Sequence, residues 1–243
     1  MIIDAHVRIG GSREVSLSVD ELLSTMDELG IDRALIAPSE GQTAYANRDG
    51  NTATTAAAAR TDRLLPYAVA TPWRSDALDE LAWARDHGAV ALALDPVLQG
   101  FDVLDGLVDP LIEFAAGVNW PVYIRTGTPP TALPLPVASL ARRYPEQAFI
   151  MGRSGATDFW IDAAPALQHA PNLYGDSSYA PWDTVLSEFA RDPQIGVGRI
   201  LFATDAPYTV HSAELKRITN WPLQEGERSD VLGGNLARLL GRA

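Results

Sequence analysis

Short apolar runs alternate with amphipathic stretches from one end of the chain to the other, and this alternation limits the fold more than any other feature. The runs fall at residues 2–9, 33–37, 65–71, 89–94, 122–125, 148–152, 173–176 and 199–204. A brief apolar run bounded by turn residues reads as a strand, and strands separated by helical patterns pair in parallel through crossover helices. Eight such units predict an α/β fold. Eight-unit barrels need about 250 residues, so the 243 residues here are expected to form one domain over 1–243. A hydrophobic content of 47% is enough for a core of that size.

Helix signals accompany the strands. Ser18-Val19-Asp20-Glu21 offers an N-cap and early acid ahead of Leu22, Leu23, Met26 and Leu29, with Gly30 as the stop. The Ala-rich run at 52–60 has helix propensity without amphipathicity, which leaves its ends undefined. Between 223 and 240, Gly233-Gly234-Asn235 precedes Leu236, Leu239 and Leu240, the pattern of a turn before a short last helix.

Composition removes several function classes. A net charge of −12 disfavours nucleic acid and anionic membranes as partners, because both demand a basic surface. With no cysteine, disulfides, thiolate metal sites and cysteine nucleophiles are absent. No apolar run approaches the roughly 20 residues that span a bilayer, and Met1-Ile2-Ile3-Asp4 already reads as a strand rather than a leader, so the expected location is cytoplasmic. The oligomeric state is left open, a homo-oligomer included.

Against that acidic background, three arginines occupy strand ends: Arg8 in Asp4-Ala5-His6-Val7-Arg8, Arg125 in Pro121-Val122-Tyr123-Ile124-Arg125-Thr126-Gly127, and Arg153 in Ile150-Met151-Gly152-Arg153-Ser154-Gly155. These segments resemble the amidohydrolase-related group of the amidohydrolase superfamily. So do Met1-Ile2-Ile3-Asp4-Ala5-His6, Ala91-Leu92-Ala93-Leu94-Asp95-Pro96, Leu201-Phe202-Ala203-Thr204-Asp205-Ala206-Pro207 and the stretch from Val231 to Leu240. The resemblance implies a (β/α)8 TIM barrel with a metal centre at its mouth. Position by position, the family's His-x-His on the first strand reads His6-x-Arg8. Its histidines after the fifth and sixth strands read Arg125 and Arg153, and its Lys-Leu-His-Pro after the fourth reads Ala93-Leu94-Asp95-Pro96. His6 and Asp205 alone keep the ligand positions.

A guanidinium has five N–H donors and no lone pair, so it cannot coordinate a cation. The departure therefore implies no metal, with zinc the disfavoured alternative. In a barrel the strand ends converge on the mouth, so Arg8, Arg125, Arg153, His6, Asp205 and Asp95, with Asp176 as a third carboxylate, are expected to meet. Opposite charges at about 4 Å and an effective dielectric near 20 attract by roughly 4 kcal/mol before desolvation, which should pair the carboxylates with guanidinium ions.

Two readings stay open. In one, the chain is a metal-independent hydrolase, or a related lyase or cyclising enzyme, acting on a small anionic acid or lactone. Asp205 is then the general base and His6 its acid partner, while Arg8, Arg125 and Arg153 bind a carboxylate or oxyanion, with Arg125 and Arg153 pointing outward. In the other, the arginines fill the vacated cavity of a non-catalytic barrel that binds an acidic metabolite or a protein. Asp95 and Trp73 line the site in the first reading, as do Tyr179, Trp182 and Tyr208, although such aromatic residues also serve as packing. Glu40 reads as an exposed loop carboxylate, and His87, His169 and His211 as surface residues. Ser177-Ser178 lacks the elbow and second histidine of a serine nucleophile, and Gly127 and Gly155 form no phosphate loop. No nucleotide cofactor is expected.

Overall fold

The computed structural model describes residues 1–126, 131–155, 160–180 and 182–241; Gly127 lies outside them. The chain begins with β1 (Ile3–Arg8), a small antiparallel hairpin of β2 (Gly10–Gly11) and β3 (Ser16–Leu17), and α1 (Val19–Leu29). It continues through β4 (Arg33–Ala37), α2 (Glu40–Ala44), α3 (Asn47–Ala58), β5 (Leu64–Ala68), α4 (Ala77–Asp86), β6 (Ala91–Leu94), α5 (Pro96–Gln99) and α6 (Asp109–Gly117). Then follow β7 (Val122–Arg125), α7 (Pro134–Arg143), β8 (Phe149–Gly152), α8 (Ala163–His169), β9 (Leu173–Asp176), α9 (Asp183–Arg191), β10 (Ile200–Leu201), α10 (His211–Thr219), α11 (Glu225–Ser229) and α12 (Asn235–Leu239).

The order β1-β4-β5-β6-β7-β8-β9-β10 makes one eight-stranded sheet, and the described neighbours pair in parallel. Its ends meet. Ala5 N–H donates to the Phe202 carbonyl at 2.8 Å, Asp205 N–H to the His6 carbonyl at 3.0 Å, and Arg8 N–H to the Ala206 carbonyl at 2.8 Å. The result is the expected (β/α)8 barrel. The pairing of β1 with β4 shifts register between Asp4 and Val7, a local irregularity of the kind that re-aims side chains near a site.

Two apolar clusters follow from this closure. The larger packs helices onto the outside of the strands, through residues such as Leu22, Met26, Leu81, Leu111, Val137, Leu167 and Phe189. The smaller, with Ile3, Ala5, Leu35, Tyr67, Tyr123, Ile150 and Leu201, fills the interior and is capped by Leu236 and Ala237 of α12.

Boundaries differ from the sequence expectation where side chains replace ladder partners. The strand expected over 65–71 ends at Ala68 because Asn51 brackets Val69, donating to its carbonyl at 2.9 Å and accepting from its N–H at 2.8 Å. Asn47 accepts from Thr71 N–H at 2.9 Å. α3 itself starts at Asn47, ahead of the Ala-rich run. The last strand, expected over 199–204, shrinks to β10 because Ser177 Oγ accepts from Ala203 N–H and Asp4 Oδ1 from Thr204 N–H. Gly233 and Gly234 do not make a turn. They lie in a π-helical stretch, Asp230–Gly234, running into α12, where a Cβ on Gly233 would stand 2.5 Å from the Met1 carbonyl oxygen. α1 starts and stops as read, with a Ser18/Glu21 capping box and Gly30 left-handed at φ 69°.

Candidate functional site

Strand ends β1, β6, β7, β8 and the segment after β10 bring His6, Arg8, Asp95, Arg125, Arg153 and Asp205 to one end of the barrel as two linked ion-pair groups. In the first, Asp95 Oδ2 accepts from Arg8 Nη2 at 2.9 Å and from Arg125 Nη1 at 3.1 Å. Its Oδ1 caps α5 by accepting from Leu98 N–H at 3.2 Å. Arg8 is buried and heavily committed, with Nη1 donating to the Pro38 carbonyl at 3.1 Å and to Thr43 Oγ1 at 2.8 Å. In the second, Asp205 Oδ1 faces His6 Nδ1 at 3.1 Å and Oδ2 accepts from Arg153 Nε at 2.7 Å.

Arg125 and Arg153 are the more open cations, at 15% and 10% side-chain exposure against 4% for Arg8. Each spends a single nitrogen on a carboxylate among the described residues. Their remaining surface meets aromatic rings: Arg153 lies 4.3 Å from the Tyr179 ring centre and 5.5 Å from that of Tyr208, and Arg125 lies 5.4 Å from Tyr208. The Nε atoms of Arg8 and Arg125 and Nε2 of His6 are buried without a partner among the described residues.

Charge and burial set the protonation states. Burial alone would raise Asp205, but the hydrogen bond from His6 and the charges of Arg153, His6 and Arg125 hold it well below the usual carboxylate range. Burial lowers His6 to about 4, with the Asp205 interaction opposing, so the ring is neutral at neutral pH. An ionised Asp205 accepts a proton donor, which places the ring hydrogen on Nδ1 and the lone pair on Nε2. Burial works against the charge on Arg125, but Asp95 and Asp205 keep it above its ordinary value.

Other expected residues keep different company. Trp73 sits on the connection after β5, 54% exposed, with its indole N–H donated to the Gln99 carbonyl at 2.6 Å. Trp182 is exposed as well. Asp176 is buried but meets no arginine side chain among the described residues; its oxygens take Ser154 N–H, Ser178 and Tyr123 instead. Glu40 is not an exposed loop group: it opens α2, half-buried, and interacts with the Tyr208 hydroxyl. His87 and His169 are exposed, whereas His211 is half-buried with Nε2 unpartnered. Ser177 and Ser178 are buried in backbone and Asp176 contacts. Tyr123, not singled out in the sequence, stacks on His6 with ring centres 4.2 Å apart and planes 2° from parallel. Its place two residues before Arg125 on the same strand, hence on the same face, was the available signal.

Surface hollows lie elsewhere. One of about 680 Å³ is lined by Met1, Asp27, Arg33 and Arg63 at the opposite end of the barrel, and one of about 480 Å³ by Gly10, Ser39 and Tyr45 beside β2. Convergent charge, rather than cavity size, marks the candidate site. No helix among the described residues is long and apolar enough to cross a membrane.

Residues 3–242 match the amidohydrolase family model, and the chain belongs to that family. No curated protein matches it. Among solved structures, an uncharacterised TIM-barrel protein from Bordetella bronchiseptica is 17% identical, with 99% of this chain and 98% of that one covered and a TM-score of 0.79. A probable 2-pyrone-4,6-dicarboxylic acid hydrolase from Acinetobacter baumannii, solved with citric acid bound, is 17% identical over 99% of both chains at a TM-score of 0.74. A 5-carboxyvanillate decarboxylase from Novosphingobium aromaticivorans, complexed with manganese and 4-hydroxy-3-methoxy-5-nitrobenzoic acid, is 15% identical over 99% and 96% at a TM-score of 0.81. Identities this low speak to the fold.

Proposed function

We propose that this member of the amidohydrolase family is a hydrolase, or a related lyase, of a small carboxylate or lactone, in which guanidinium charge takes over the part of a metal ion. One observation carries the reading: Arg8, Arg125 and Arg153 share only Asp95 and Asp205 as ion-pair partners among the described residues, leaving one positive charge in excess at a set of strand ends. The relatives solved with citric acid and with a nitrobenzoic acid accept anions of this kind.

A divalent cation does not fit the donor set as placed. Among the described residues no three His, Asp or Glu side chains are arranged to hold one. Asp205 already spends both oxygens on His6 and Arg153, and the flanking guanidinium ions repel added positive charge.

The roles follow from the donors that remain. Arg125 and Arg153, the partly exposed cations, offer their unspent N–H groups to a substrate carboxylate or to an oxyanion that develops during reaction. Asp205, held strongly acidic, is a poor base, so this reading gives the proton acceptor's part to its partner His6, whose Nε2 has no partner among the described residues. His6 takes the proton at Nε2, while Asp205 fixes the ring through Nδ1–H and stabilises the imidazolium that forms.

The test is a screen of small carboxylates and lactones on chelator-treated protein. Turnover should persist without metal and fall about 10²–10³-fold in Arg153→Ala and Arg125→Ala, the usual loss on removing one oxyanion donor. Activity that appears only with added zinc or manganese would overturn the reading. Thermal stabilisation by citrate with no turnover of any compound would favour the binding protein instead.

A further inference from the structure

Asp176 ends β9, fully buried, and its carboxyl meets no arginine side chain among the described residues. Its Oδ1 accepts three hydrogen bonds, from Ser154 N–H at 3.0 Å, Ser178 N–H at 3.0 Å and Ser178 Oγ at 2.9 Å, and its Oδ2 accepts from the Tyr123 hydroxyl at 3.3 Å. The donors belong to two turns that leave neighbouring strands. After β8, Arg153 and Ser154 are left-handed, with φ 57° and 53°; after β9, Tyr179 is left-handed with φ 59°. Such a backbone is disfavoured for residues other than glycine and persists only where outside contacts hold it.

Those same turns carry the two sides of one contact. The Arg153 guanidinium covers the Tyr179 ring at 4.3 Å while its Nε donates to Asp205. A single carboxylate oxygen thus ties the backbone that aims Arg153 to the backbone that presents Tyr179. An aspartate suits the task, since its short side chain brings an acceptor oxygen with two lone pairs within reach of both turns. We propose that Asp176 is a positioning residue that clamps the Arg153–Ser154 turn to the Ser178–Tyr179 turn and thereby holds Arg153 on Asp205. The inference concerns where Arg153 points and is independent of whether the site turns over substrate.

Hydrogen exchange at the arginine Nε–H groups, followed by ¹⁵N NMR on the full chain, tests it. In Asp176→Ala the Arg153 Nε–H should exchange about tenfold faster, the equivalent of one ordinary hydrogen bond. Asp176→Asn, which keeps an acceptor for Ser154 N–H, should retain most of the protection. The Arg48 Nε–H, bonded to Glu80 at 3.0 Å on a remote face, reports general loosening and should not change. Equal acceleration at Arg48, or an unchanged Arg153 signal in the Ala variant, overturns the proposal. If the Ala variant does not fold, Ser178→Ala removes one donor from the same oxygen without emptying the core. It should then speed Arg153 exchange by about threefold, and no change there is equally fatal.

Discussion

Asp95 and Asp205 are both buried aspartates at strand ends, and both pair with arginine, yet their surroundings are built on opposite plans. Asp95 divides its oxygens between two guanidinium ions and a helix cap, and Arg8 beside it also binds the Pro38 carbonyl and Thr43. Asp205 is itself left-handed at φ 52°, close to Arg153, Ser154 and Tyr179 in the same conformation. Its partners are a neutral imidazole and an arginine, with Nε2 of the first and further donors of the second unpartnered among the described residues. Left-handed non-glycine residues cost on the order of 1–3 kcal/mol each and tend to gather at functional sites. The contrast teaches that like ion pairs can serve different ends: the Asp95 group locks β1, β4 and β6 together, while the Asp205 group sits among left-handed residues and keeps donors unspent among the described residues.

The sharpest way to break this contrast is to remove one arginine from each side. Arg8→Ala strips a buried charge from Asp95, leaves Thr43 Oγ1 without its guanidinium donor and leaves the Pro38 carbonyl with only the long bond from Thr43, so the expected loss is about 3 kcal/mol of stability, at the low end for a broken buried pair because Arg125 remains. Melting should drop by about 2–4 °C for each kcal/mol in a chain of this size. Arg153→Ala should lose roughly half as much, since Asp205 keeps His6 and the pair is partly open to water. Urea denaturation of both variants checks the order; a larger loss from Arg153→Ala would mean that the Asp205 side is the structural lock.

Next in size is Gly152→Ala. A Cβ there would stand 2.3 Å from both Cζ and the hydroxyl oxygen of Tyr123, forcing the ring off His6 and away from Asp176. Overpacking of this kind costs about 1–3 kcal/mol. The disturbance should register in the His6 ring signals by NMR while the contacts of Arg8 stay unchanged. A variant of full stability with an unmoved His6 signal would show that the tyrosine stack does not order this side.

These two sides were unequally legible in the sequence. Convergence of His6, Arg8, Asp95, Arg125, Arg153 and Asp205 could be read because strand ends of a barrel share one mouth. The fold itself followed from the alternation of apolar runs with helical patterns. Strand ends were misjudged where Asn47, Asn51, Asp4 and Ser177 supply side-chain partners to a backbone that would otherwise pair with a strand. The strained backbone was invisible, because Arg, Ser, Tyr and Asp carry no propensity for φ > 0 comparable with that of glycine. Likewise, nothing in the motifs revealed that Gly152 makes room for Tyr123, or that Asp176 binds turns rather than arginines.

The smallest effect separates the sides by pH. Groups that titrate near neutrality gather around Asp205: burial raises Asp4 to about 7 against its hydrogen bonds from Thr204 and His6, and burial with repulsion from Asp205 raises Asp176 to about 7. Glu214, raised to about 7 by burial, also feels Asp205. In the unfolded chain these carboxyls ionise near pH 4, so between pH 8 and 6.5 only the folded state takes up their protons, and stability rises as pH falls. His6 acts in the opposite direction and in a lower window. Its folded value of about 4 lies below the ordinary histidine value of 6.5, so the unfolded chain binds that proton first and stability is lost as pH falls from 6.5 towards 4. Melting temperature should therefore begin to climb between pH 8 and 6.5 and keep climbing below that, with a slope cut by about one proton in three because the histidine opposes the carboxyls. Asp4→Asn, which removes one titrating group while keeping an acceptor for Thr204 N–H, should reduce the climb by about 1 kcal/mol, since one pH unit of differential protonation is worth about 1.36 kcal/mol. An unchanged climb in that variant, or an equal reduction from a substitution beside Asp95, would erase the distinction between the two halves of the site.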